Sequence, residues 1–288
     1  MHNDIFKQLN SMLPTLSKGH KLIATYILEH YDKAAYMTAA KLGSTVGISE
    51  STVVRFAAEI GYDGFPSLQR AMQDAMKSKL TTIQRIEVTS DQLGTEDILE
   101  KVLNLDIERI KKTLETTSKD EFNSATDIIA QAKTIYIIGS RSASTLAHFL
   151  SFYFNLIFQN VKLVHTTSRS EMFEQIMRIN ENDVIIGISF PRYSKQTITA
   201  FKYARANNAK VIAITDSYSS PLVEYADKVL IARSDMASFV DSLVAPLSLI
   251  NALIVALSIK NREMVTENLE KLESIWDEYQ VYEKFEEK

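Results

Sequence analysis

The apolar positions of this chain change their period once. From residue 4 to about 132 they recur every three or four residues, as in helices with one buried face. From 134 to 232 they come instead as short β-branched runs separated by helical stretches. In the first part, Ile5, Leu9, Met12 and Leu13 share a helical face, Pro14 interrupts, and Ser17 fits the cap of a second helix carrying Leu22, Ile23, Tyr26, Ile27 and Leu28. Tyr31 to Tyr36 reads as a connection. Thr38 suits the cap of a short helix over Ala39–Val46, and Gly47 the left-handed position past its end. Ser49 then caps a helix reaching about Ile60, with Gly61 as its stop. A turn at Asp63-Gly64 and a helix start at Pro66 lead into Leu68, Met72 and Met76. Residues 80–95 are polar and weakly periodic and read as an interdomain linker, followed by helices over about 96–114 and 120–132.

The runs TIYIIG (134–139), VKLVH (161–165), DVIIGIS (183–189), KVIAIT (210–215) and KVLIA (228–232) predict five strands. Helical segments over about 142–158, 170–180 and 194–207 separate the first four, a shorter segment over about 219–226 precedes the fifth, and two long helices, about 238–260 and 263–285, close the chain. Continuous apolar strands alternating with helices indicate a parallel sheet covered on both faces. The expected fold is therefore an all-α domain over 1–80, a linker over 81–95, and an α/β domain of three αβα layers over 96–288.

Composition narrows the function. The 288 residues contain no cysteine, which excludes disulfides, thiol nucleophiles and thiolate metal sites and fits a reducing cytoplasm. The first 80 residues hold nine Lys/Arg against seven Asp/Glu, and the remainder 23 against 29, a mild asymmetry that permits nucleic-acid contact at the N-terminal end. Ser242–Ile259 is an uncharged run of 18 residues, but its serines, Pro246 and Asn251 favour a buried or subunit-interface helix over a membrane span. The N-terminal residues lack the basic-then-apolar pattern of a signal peptide.

The stretch Thr38–Gly61 has the requirements of a DNA-reading helix-turn-helix: a short scaffold helix, a sharp turn, and a second helix with one free face. Leu42 and Val46 face Ile48, Val53 and Phe56 across the turn, and Gly43 is small where the helices approach. The outward face carries Ser49, Glu50, Ser51, Thr52 and Arg55, with Val54 partly exposed. Short hydroxyls suit phosphates or base edges, and a guanidinium bonds guanine bidentately. An ordinary helical hairpin is the plainer alternative for the buried pattern alone. GISESTVVRFAAEIGYDGFPSLQRAM resembles the N-terminal domain of RpiR-family transcriptional regulators, with Ser49, Thr52, Val53, Arg55, Phe56, Gly61, Gly64, Phe65 and Leu68 matching. That resemblance implies a double-stranded, palindromic DNA operator as partner and a homodimeric or homotetrameric regulator, by default a repressor.

Two strand-end loops, Gly139 to Ser144 and Ser189 to Ser194, suit an anionic ligand, because ligands of open α/β sheets sit beyond the carboxyl ends of strands and helix N-termini attract phosphate. Candidate ligand contacts are Ser140, Arg141, Ser142, Ser189, Arg192 and Ser194. Residues from about Leu105 to Ile259 resemble the SIS (sugar isomerase) domain, which implies a five-stranded parallel sheet and a phosphosugar ligand. The loops depart from that family's pattern. Arg141 stands in place of a glycine, and Pro191 and Arg192 replace a serine and a glycine, which widens the expectation to an anionic metabolite held by a charged clamp.

An isomerase would need an acid/base pair, and none stands out. His148 reads as a packed helical histidine, and His165 and Glu171 as ligand neighbours without clear pairing. No histidine spacing suits a metal, and P-loop and GxGxxG strings are lacking, so no catalytic residue, metal or cofactor is expected. A ligand-responsive transcription factor is the leading reading. A phosphosugar isomerase with a helical accessory and a ligand-free oligomerisation protein are the alternatives.

Overall fold

The computed structural model describes residues 5–76, 81–94, 96–236 and 240–282. By its contacts the chain divides into a helical unit (Met1–Leu105 with Asp235–Ser242) and an α/β unit (Asp106–Ser234 with Leu243–Lys288).

The helical unit contains α1 (Ile5–Met12), α2 (Lys18–Glu29), α3 (Tyr31–Ala34), α4 (Ala39–Val46), α5 (Glu50–Glu59), α6 (Gly64–Met76) and α7 (Thr82–Leu93). Ser17 and Thr38 cap α2 and α4, accepting the N–H groups of His20 and Lys41. The apolar stripes converge on one core in which Leu9, Ile23, Leu42, Val53, Phe56, Leu68 and Met72 are fully buried. Tyr31–Ala34 is a helical turn rather than a plain connection, and Thr82–Leu93, within the stretch expected as a linker, is helical. Its period was hard to see because its buried position is charged. Arg85 is 1 % exposed and donates to Asp241 at 2.7 Å, a partner 156 residues away in the segment 235–242. The nearby Tyr36 hydroxyl is pushed up to about 12, chiefly by burial.

The α/β unit follows α8 (Ile98–Thr116), which begins in the helical unit. It holds α9 (Lys119–Gln131), β1 (Ile135–Gly139), α10 (Ala143–Ile157), β2 (Val161–Val164), α11 (Arg169–Ile176), β3 (Val184–Ile188), α12 (Lys195–Ala206), β4 (Lys210–Thr215), β5 (Lys228–Ile231), α13 (Val244–Lys260) and α14 (Arg262–Glu278). All strand pairings are parallel, in the order β2-β1-β3-β4-β5. Side chains alternate between the two faces. Ile135 and Ile137 enter the core with α9, α10 and α13, while Tyr136 and Ile138 enter the core with α11 and α12. Both β1 and β3 are buried throughout. Covering on both faces therefore produced the unbroken apolar strands.

The helix expected over 238–260 begins at Val244, because 235–242 packs with the helical unit and Met236 bridges Asp241. Residues 238–239 and 283–285, included in the two expected closing helices, lie outside the described residues. The segment 219–226 shortens to a 3-10 turn over Val223–Tyr225. Among the described residues no single helix is long and apolar enough to cross a membrane.

Candidate functional site

The helical unit presents α5. Its placement depends on the turn before it. Gly47 takes φ 76° at the end of α4, a left-handed conformation that glycine adopts without a side-chain penalty. At Gly43 a Cβ would come within 2.8 Å of the Ile48 carbonyl oxygen, so only glycine lets α4 approach the start of α5 this closely. The inner face of α5 buries Val53, Phe56 and Ala57. Its base is tied to α2, where His20 shares a 2.6 Å hydrogen bond with Glu59 and packs edge-on against Phe56.

The outer face carries the five expected residues. Ser49, Glu50, Ser51 and Arg55 are exposed and Thr52 is half-buried. Ser49 holds the cap position, but its hydroxyl does not cap the helix. It shares hydrogen bonds with the hydroxyls of Ser51 (3.0 Å) and Thr52 (2.9 Å). Arg55 folds back along its own helix, donating from Nε to the Ser51 carbonyl at 3.3 Å and from Nη2 to the Thr52 hydroxyl at 3.4 Å. These bonds are long and solvent-exposed, so a phosphate or guanine edge can replace them at little cost.

In the α/β unit the two anion-suited loops meet. The sheet order reverses between β1 and β3, the switch point beyond which ligands of open α/β sheets bind. Ser194 donates to the hydroxyl of Ser140 at 3.1 Å and joins the loops across it. Ser194 also caps α12 by accepting the Thr197 N–H, while its own N–H donates to Ser189 Oγ at 3.0 Å. Ser189 is buried and pinned further by Thr215, which donates to its carbonyl at 2.8 Å. Ser142 occupies the cap position of α10 but makes no side-chain cap bond, so no hydroxyl covers that 15-residue helix's amino end.

Both arginines that replace glycine keep glycine's backbone conformation. Arg141 has φ 58° and Arg192 φ 69°, and both side chains are exposed. Left-handed backbone costs a residue with a side chain about 1–2 kcal/mol. Both loops therefore carry a strained backbone position at an arginine.

Sequence reasoning passed over Thr166 in the loop after β2 and the whole loop after β4. After β2, Thr166 donates to Glu171, and its carbonyl accepts from Gln196 at 3.1 Å on the first turn of α12. After β4, Asp216 is buried and accepts from the Tyr193 hydroxyl at 2.8 Å, beside Ser217, Ser219 and Ser220. Burial, reinforced by the Asp216 charge, pushes the Tyr193 hydroxyl well above the usual phenol range, so it remains a neutral donor. The signal available in sequence was the serine-rich string DSYSS directly after an apolar strand. His148 corrects an expectation. It is exposed rather than packed, bonded through Nδ1 to the Ser144 carbonyl at 2.8 Å and edge-on to His165 at 4.7 Å.

A helix-turn-helix joined to a five-stranded parallel α/β unit defines the class as a two-part transcriptional regulator. Residues 3–79 match the helix-turn-helix domain of the rpiR family, and residues 128–256 match the SIS domain. The chain belongs to the RpiR family of helix-turn-helix transcriptional regulators. It is 25% identical to the regulator HexR of Escherichia coli over 93% of both chains. It is 26% identical to an uncharacterised HTH-type transcriptional regulator of Clostridium perfringens, over 93% of this chain and 95% of that one. These relatives are transcriptional regulators, not enzymes. Among solved structures, the Vibrio vulnificus NanR protein complexed with ManNAc-6P is 20% identical and superposes over 96% of this chain and 98% of that one, with a TM-score of 0.60. The sugar isomerase domain of an RpiR transcription factor from Sphaerobacter thermophilus is 24% identical and covers 60% of this chain and 97% of that one, with a TM-score of 0.58.

Proposed function

We propose that this regulator senses a phosphosugar or a closely related anionic metabolite at the crevice between β1 and β3, and that occupancy changes its hold on a palindromic operator. The observation that carries the reading is the Ser194–Ser140 hydrogen bond, which joins two anion-suited loops at the point where the strand order reverses. The uncapped amino end of α10 offers N–H groups to a phosphate, with Ser140, Ser142 and Ser194 as hydroxyl donors. Ser189 holds the second loop in shape. Arg141 and Arg192 close on the anion from the loop tips. The ManNAc-6P bound by NanR, a protein of the same fold, supports the phosphosugar class.

In this reading residues 1–80 form the DNA-binding domain, 81–95 the connection and 96–288 the sensing and assembly domain. Ser49, Glu50, Ser51, Thr52 and Arg55 face the major groove, Arg55 reading a guanine and the hydroxyls meeting phosphates. Dimerisation through the uncovered side of α13, where Val244, Val255 and Ile259 are exposed, sets two α5 helices about 34 Å apart or a multiple of it. The protein acts in the cytoplasm as a repressor released by its effector, with a coupling on the order of 1–3 kcal/mol.

The test is selection of bound DNA from a random pool, repeated with a panel of phosphorylated sugars. The selected sequences should be palindromic, and at least one sugar phosphate should shift their affinity. A regulator that binds its operator equally with every sugar phosphate would contradict the sensing half of the reading.

A further inference from the structure

Helix α2 opens with Lys18, Gly19, His20 and Lys21 and has no acidic residue in its first turn. Positive charge at the amino end of a helix opposes the helix dipole, and aspartate or glutamate is the stabilising choice there. Both lysines are exposed, and among the described residues neither is paired with a carboxylate. Gly19 is equally out of place, since glycine is the poorest helix former after proline. Nothing inside the fold calls for it. Its backbone is not left-handed, and a Cβ there would lie 3.8 Å from Thr52 Cγ2, an ordinary contact. A glycine that neither φ nor packing requires suits a surface that another molecule approaches closely.

The neighbours of this helix end identify what approaches. Gly19 adjoins Thr52, while His20 packs edge-on against Phe56 and shares a hydrogen bond with Glu59. Thr52 and Glu59 are seven positions apart and therefore lie along one edge of α5. The amino end of α2 is thus held beside the first turn of α5, next to the outer face that carries Ser51 and Arg55. Around α2, Lys18 and Leu22 lie on the exposed side adjoining Gly19, whereas Lys21 is about 160° from Gly19.

We propose that Lys18 is a DNA-backbone contact outside the helix-turn-helix. Its ammonium meets a phosphate of the strand bordering the groove that α5 enters, and the bare backbone at Gly19 lets that strand come close. The partner is double-stranded DNA, and the inference rests on the reading of α5 as the groove helix. Phosphate contacts fix orientation and carry no sequence information, whereas base contacts specify. Lys18 therefore sets affinity and seating, and Arg55 sets base preference.

The test uses the full-length protein with the selected operator and a scrambled duplex, read by anisotropy over a salt series. Lys18→Ala should weaken both complexes alike, about three- to tenfold at about 0.1 M salt, and lower the slope of log affinity against log salt by about one. Lys18→Arg should restore both quantities. Lys21→Ala serves as the control on the far side of α2 and should leave the slope unchanged. An equal loss from Lys21→Ala would reveal a general charge effect and overturn the contact. Gly19→Ala should raise the melting temperature, because alanine favours the helix, and still weaken both complexes. A Gly19→Ala protein that binds as tightly as wild type would contradict the close approach. Arg55→Ala, measured in parallel, separates this contact from the reading on which it rests. If Arg55→Ala relaxes base preference while Lys18→Ala leaves affinity and slope unchanged, the α2 contact is wrong and α5 remains the reader. If Arg55→Ala changes nothing, the placement of DNA beside α5 fails and the contact fails with it.

Discussion

The two units solve the same backbone problem with different residues. In the helix-turn-helix the left-handed positions are glycines, Gly47 at φ 76° and Gly61 at φ 91°. In the sheet unit the left-handed positions in the loops after β1 and β3 are Arg141 and Arg192. Glycine at the first pair shows that the turns there serve shape alone: they aim α5, and other residues meet DNA. Arginine at the second pair holds the same conformation at a cost of about 1–2 kcal/mol each, the observation that supports the proposed anion clamp. The DNA end can therefore be read from its turns, whereas the proposed ligand end carries arginine where the turn rule favours glycine.

The largest expected effect comes from disturbing the glycine side of this contrast. Gly43→Val places a branched side chain where even a Cβ meets the Ile48 carbonyl oxygen at 2.8 Å. It should destabilise the helical unit by about 3 kcal/mol or more and abolish operator binding, as seen in urea titration and anisotropy. Arg55→Ala comes next. It should weaken the operator complex by about 1–3 kcal/mol and relax base preference at one position per half-site, with stability unchanged in the same titration. Unchanged base preference would remove α5 from the role of reader.

Arg141→Gly/Arg192→Gly sharpens the comparison directly. Relief of left-handed strain should raise stability by about 1 kcal/mol in total, after glycine's own entropic cost, while the response to effector falls. A double variant that loses stability and keeps its response would mean the arginines are structural. The smallest effect near neutral pH concerns Tyr193 and Tyr36. Both hydroxyls are held above the phenol value of 10.0, so the folded state keeps their protons longer than the unfolded state does. Their contribution is fully present below about pH 10 and is lost as pH rises beyond it. Tyr193→Phe should flatten the fall of stability between pH 10 and 12 and leave the melting temperature near pH 7 little changed.

Much of this was legible in the sequence. Residues at helical spacing placed α2, α4, α5 and α6, and unbroken apolar runs placed all five strands, because in both cases the pattern directly reflects which side is buried. The helical period of Thr82–Leu93 was not legible for the converse reason: its buried side uses Arg85, whose partner Asp241 no local pattern reveals. The loops after β1 and β3 were found from their serines, but their union through Ser140 and Ser194 depends on strand order. The contribution of Asp216 depends on the neighbouring Tyr193 hydroxyl, a contact across 23 residues that appears only once β3 and β4 are adjacent.

The central claim is tested most directly by titrating the selected operator complex with phosphorylated sugars, using wild-type protein and the Arg141→Gly/Arg192→Gly variant side by side, with anisotropy as the readout. At least one sugar phosphate should change wild-type operator affinity by about tenfold, equivalent to about 1.4 kcal/mol, while inorganic phosphate does not. The variant should bind the free operator normally and respond far less. An effector that moves wild type and variant equally would contradict the placement of sensing at the β1–β3 crevice.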